Sequence, residues 1–150
     1  MESGGTSERG FTLLELLVVI AIIAIGSATA ALALRDSQGQ VLAREADRLA
    51  ALLESARATS RAAGVPIVWR AGPGGFAWTG LPPGSAPLPT AWLDAGTQAV
   101  GNAALVLGPD PIIPAQTVVL ARSGTSGQAA QSVAIATDGL RPFSVGALQP

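Results

Sequence analysis

One stretch constrains this chain before any other: residues 11–34 run for 24 residues with a single charge, Glu15. As a helix the stretch would extend ~36 Å at ~1.5 Å per residue, against a bilayer hydrocarbon core of ~30 Å. It is therefore expected to span a membrane once. The 116 residues that follow are punctuated by Gly and Pro and carry dispersed charge, as in a soluble domain. The fold must combine a membrane helix with one modest head.

Two readings compete for the apolar stretch. A secretory signal peptide would be cut after the Ala28-Thr29-Ala30 triplet, and its leading residues would be basic. The ten residues ahead of Phe11 instead hold Glu2, Glu8 and Arg9, which is net acidic. Glu15 also counts against it, because a carboxylate at the centre of a membrane helix costs ~2.5–3.5 kcal/mol and less near the interface. An acid in lipid needs a partner, and Arg9 lies before the run. Cleavage between Gly10 and Phe11 would create one: a new α-amine four residues from Glu15, or the same amine on a neighbouring subunit.

The phrase Arg9-Gly10-Phe11-Thr12-Leu13-Leu14-Glu15, followed by the apolar run, resembles the type IV prepilin signature. The resemblance implies that a prepilin peptidase removes residues 1–10, that Phe11 becomes an N-methylated amino terminus, and that Glu15 is an assembly residue pairing with a neighbour's terminal amine. It further implies a transmembrane helix over residues 11–34 and a head over residues 35–150.

Residue types absent from the chain narrow the function. There is no His, Cys or Tyr. The usual zinc ligands, the usual general base near neutral pH and any Ser-His nucleophilic arrangement are thereby removed. No Gly-rich loop is followed by Lys, so a phosphate cradle is not expected. All nine cations are Arg, scattered without a stripe in a chain of net charge −1, with only Arg141 in the last 28 residues. The chain is expected not to be an enzyme, to need no cofactor and to have no nucleic-acid partner. Asp94, Asp110 and Asp138 are dispersed among Gly and Pro and read as turn residues rather than metal ligands.

In the head, Leu42, Ala46, Leu49, Leu53 and Ala56 recur at spacings of four, three, four and three, which predicts an amphipathic helix over residues 37–63. Ser37 reads as its N-cap, Gly64 as the residue that closes it, and Pro66 as a barrier to continuation. An unbroken helix from the membrane segment to Ala63 would form a long spine. Strands are expected over residues 65–70, 75–79, 104–107, 117–122, 132–137 and 143–145, with turns at Gly72-Pro73-Gly74-Gly75 and, as a two-residue type I′ hairpin, at Asp138-Gly139. Residues 81–89, with four prolines, read as an irregular surface loop, and with residues 123–128 as a partner-facing region. Trp69, Trp78 and Trp92 read as core or loop anchors.

The helix phrase from Leu49 to Arg57 running through Arg61 and Gly64 into a strand, the Leu107-Gly108-Pro109-Asp110 phrase and the closing strand–Gly139–strand unit resemble the H-type minor pseudopilin domain (GspH/FimT family). That resemblance implies an α+β, pilin-like fold: a long amino-terminal helix packed on antiparallel sheets. It implies a minor pseudopilin in the tip complex of a type II secretion pseudopilus, supporting protein export across the outer membrane. The partners it implies are other minor and major pseudopilins, the prepilin peptidase and an inner-membrane assembly platform. The chain would be single-pass in the inner membrane, with its carboxy-terminal domain in the periplasm. A FimT-like minor pilin of a type IV pilus, serving DNA uptake, is the alternative.

Mass spectrometry of the protein recovered from membranes is expected to find a mature terminus at Phe11 carrying one added methyl group. A terminus at Ala31 would establish the signal-peptide reading instead.

Overall fold

The computed structural model describes residues 13–101, 103–123 and 130–146, with the backbone alone for 31–38. The chain divides into two compact units, Met1–Ser37 and Gln38–Pro150. Helix α1 covers Leu13–Ala63 and contributes to both. It is followed by β1 (Ile67–Gly72), β2 (Gly75–Thr79), β3 (Thr97–Ala99), β4 (Ala104–Leu107), β5 (Gln116–Arg122), β6 (Gln131–Thr137) and β7 (Ser144–Gly146). All pairings are antiparallel, in two sheets of order β2-β1-β4 and β3-β5-β6-β7. This is the α+β, pilin-like arrangement expected.

Ser37 does not cap a separate helix. The run Ala30-Ala31-Leu32-Ala33-Leu34-Arg35 consists of strong helix formers, so nothing stops α1 before it reaches the head. The end is where the punctuation puts it: Gly64 turns to φ 67° and Pro66 blocks continuation. The same proline has no N–H to offer a ladder, so β1 begins at Ile67 rather than at residue 65.

In the second unit the stripe Leu42, Ala46, Leu49, Leu53, Ala56 is buried throughout, while Ala43, Arg44, Asp47, Ala51, Ser55 and Ala58 face outward. The stripe shares one core with Ile67 and Trp69 of β1, Leu105 and Leu107 of β4, Val118 and Leu120 of β5 and Ile135 of β6. Burial alternates along β4, where Leu105 and Leu107 point in and Ala104 and Val106 out. Phe76 joins the three tryptophans, with ring centroids 5.9 Å from Trp69, 6.0 Å from Trp78 and 4.7 Å from Trp92. The Trp78 indole N–H donates to the Pro89 carbonyl at 2.8 Å and so ties the proline-rich loop to β2.

Gly72 pairs with Gly75, closing β1 and β2 as expected. The Asp138-Gly139 turn differs. A type I′ turn needs positive φ at both central residues, but among the described residues only glycines have positive φ. Pairing of β6 with β7 begins at Ala136 and Ser144, so the connection is a broad loop. Asp138 works as a side-chain cap, accepting from the Leu140 and Arg141 amides at 2.9 and 2.8 Å. Those amides, Arg141 first, hold its carboxyl below the usual range. Gly139, at φ 91°, is required by close approach: a Cβ there would collide with the Ile113 carbonyl. β3 was not foreseen, since Thr97-Gln98-Ala99 is too short and mixed to show a strand pattern.

Leu53 is fully buried, so Leu53→Ala should cost about 2–5 kcal/mol of head stability. Ser55→Ala, on the exposed face of the same turn, should stay within about 0.5 kcal/mol. Parallel thermal or urea melts check the contrast.

Candidate assembly site in the apolar helix

Within the first unit, Leu13–Ala30 has a mean hydropathy of 2.4 and none of it is buried by the rest of the chain. Ten large apolar side chains are exposed there, from Val19 at 40% to Leu13 at 82%. An uncovered run of this size is not sustained in water. On an insertion scale each such residue favours the bilayer by about 0.3–0.6 kcal/mol, so ten contribute roughly 3–6 kcal/mol, which exceeds the cost of one carboxylate near the interface. Lipid is the solvent that fits this surface.

The polar side chains of the segment suit that solvent. The Ser27 hydroxyl donates to the Ile23 carbonyl at 2.8 Å and the Thr29 hydroxyl to the Gly26 carbonyl at 2.9 Å. Both are satisfied within the helix and ask nothing of lipid. Glu15 lies in the first turn of α1, where a carboxylate complements the positive end of the helix dipole. Gly10 and Phe11, the expected cleavage pair, lie outside the described residues, as do residues 124–128 of the expected partner-facing loop.

In the second unit the three isolated acids do local work or none that gathers a ligand set. Asp94 accepts from the Gly96 amide at 2.7 Å and pairs with Arg122 at 2.7 Å. Asp138 caps its turn, and Asp110 is exposed. Among the described residues no group of three or more acidic side chains could hold a metal ion. Of the seven arginines whose side chains are described, Arg48, Arg57, Arg122 and Arg141 form ion pairs with carboxylates.

Two charged residues on the buried face of α1 went unnoticed in the sequence. Glu45 and Arg57 are each 1% exposed. Glu45 accepts from Arg48 at 2.7 Å and from the Leu93 amide at 2.7 Å, while Arg48 also donates to the Ala91 carbonyl at 3.2 Å. Arg57 donates to the carbonyls of Gly139 at 2.7 Å, Arg141 at 3.2 Å and Pro111 at 3.3 Å. Glu54, 3.6 Å from Arg57, accepts from the Phe143 amide at 3.0 Å. The spacing carried a signal: Glu45 is three residues after Leu42 and four before Leu49, and Arg57 four after Leu53, so both fall on the core face.

Compared with known proteins, the chain matches a family model described as the prokaryotic N-terminal methylation motif over residues 5–31, a span that includes Gly10, Phe11 and Glu15. No curated protein and no solved structure matches it. Together with the exposed apolar helix, the motif supports a type IV pilin-like protein anchored in a membrane by a single pass.

Proposed function

We propose that this chain is a minor pseudopilin of the H type, a structural subunit of a type II secretion pseudopilus, and not an enzyme. The observation that carries the reading is the placement of Glu15: a carboxylate in the first turn of an uncovered apolar helix, inside the segment that matches the methylation motif. A peptidase cut between Gly10 and Phe11 places a methylated amine four residues from that carboxylate. In lipid, where charge is costly, a carboxylate and an amine on neighbouring subunits recruit one another. Work is then done by assembly: the subunit joins other minor and major pseudopilins on an inner-membrane platform, with its head in the periplasm.

The head suits a structural role. Glu45, Arg48, Glu54 and Arg57 hold loops to α1, and the pairing of four arginines with carboxylates weighs against a polyanion surface of the kind DNA uptake by a FimT-like pilin would need.

The test compares Glu15→Ala, Glu15→Asp and wild type for crosslinking to other pseudopilins and for secretion. Glu15→Ala should be processed and inserted normally yet lose crosslinking by about tenfold, the factor that corresponds to ~1.4 kcal/mol. Glu15→Asp, a carboxylate on a shorter stem, should lose less. Wild-type crosslinking and secretion by Glu15→Ala would remove the carboxylate–amine account of recruitment.

A further inference from the structure

The three-stranded sheet has two outer strands, β2 and β4. The β2 side is covered by the chain's own return: the Phe76 amide donates to the Thr90 carbonyl at 2.8 Å and Gly75 bridges to Ala91. Among the described residues no strand pairs with the outer side of β4. The Ala71 amide donates to the Ala103 carbonyl at 2.9 Å, and the register pairs Trp69 with Leu105 and Val68 with Val106. By the alternation of an antiparallel ladder, Leu105 exchanges bonds with β1 while Val106 turns its N–H and C=O to the outer side.

A side chain meets both groups. The Val106 amide donates to Gln116 Oε1 at 2.7 Å, and Gln116 Nε2 donates to the Val106 carbonyl at 2.9 Å. Gln116 is the first residue of β5 and belongs to the other sheet, where it pairs with Thr137. Its primary amide thus presents to β4 the same donor and acceptor pair that one residue of an added antiparallel strand would present. The bonds lie at the surface, and Val106 itself is 43% exposed.

The sequence of β4, Ala104-Leu105-Val106-Leu107, has neither charge nor proline, the usual guards of an outer strand. We infer that the Gln116 amide is a plug in a strand-pairing edge, and that the pairing it prevents is with β4 of a second copy of this chain. A second copy is the occupant this edge fits, because an uncharged strand paired antiparallel with itself makes an isologous contact that needs no complementary sequence. The supply is also at hand: a single apolar helix confines copies to one membrane, where the effective concentration of neighbours is high. The inference concerns the head and does not depend on the secretion reading.

The chain contains no Cys, so a Cys introduced at Val106 is unique. Purified full-length Val106→Cys protein in detergent micelles, treated with a short bis-maleimide, should give little dimer. Adding Gln116→Ala should raise the dimer about tenfold, with a dependence on protein concentration. Gln116→Glu keeps an acceptor for the Val106 amide and puts a charge on the edge, so it should remain at the low level. No rise with Gln116→Ala overturns the inference, as does an equal rise with Gln116→Glu, which would reflect lost stability alone. Hydrogen exchange on the unsubstituted chain gives an independent decision: the Val106 amide should be protected like an interior strand amide, and exchange at the rate of an open edge overturns the plug even if the alanine variant does not fold.

Discussion

Both sheets of the head depend on one contact, the stripe of α1 from Leu42 to Ala56. A three-stranded and a four-stranded sheet of such short strands hold little stability alone. Each acquires a buried face only because the same helix supplies Leu42, Ala46, Leu49, Leu53 and Ala56 to the shared core. The arrangement leaves many loops to be secured by few contacts. Two Glu–Arg pairs with three-residue spacing do this from the helix: Glu45 and Arg48 hold residues 91–93, and Glu54 and Arg57 hold Pro111, Gly139, Arg141 and Phe143. A buried guanidinium is costly unless its donors are met. Here carbonyls of two loops far apart in sequence meet the two terminal nitrogens of Arg57, while its buried Nε has no hydrogen-bond partner, so the cost of burial is offset in part by the ordering of both loops.

Along α1 the physical demand on the side chains changes. Over Leu13–Ala30 the helix is apolar on all sides and no part of it is covered by the chain. From Leu42 onward it is two-faced, apolar toward the sheets and polar or small on the other side. An all-round apolar helix belongs in lipid and a striped one against a core. α1 runs without a break from the segment that carries Glu15 and matches the methylation motif to the striped segment of the head.

The features legible in the sequence were those encoded locally. The apolar run, its single acid, the helical stripe, the stop at Gly64 and most strands follow from spacing and punctuation within a few residues. What escaped depends on partners distant in sequence. Spacing puts Arg57 on the core face, but what a guanidinium does there is shown only once Gly139 and Arg141 are placed beside it. Asp138-Gly139 has the letters of a tight hairpin, but the glycine answers to the Ile113 carbonyl and the aspartate to its own turn. Gln116 lies just before the strand expected over residues 117–122, and only the register of β4 shows its side chain serving as a strand substitute. At Gly10 and Phe11 the position is reversed: the sequence motif is specific, and they lie outside the described residues.

The measurement that bears most directly on this account is the accessibility of single cysteines along α1 in intact membranes, possible because the chain has none of its own. With a water-soluble maleimide, Ile20→Cys should stay unlabelled until detergent is added, and Ala51→Cys should label at once. Leu49→Cys should resist the reagent until urea unfolds the head, with or without detergent. Prompt labelling of Ile20→Cys in sealed or opened membranes would contradict the claim that one helix serves lipid first and a protein core second.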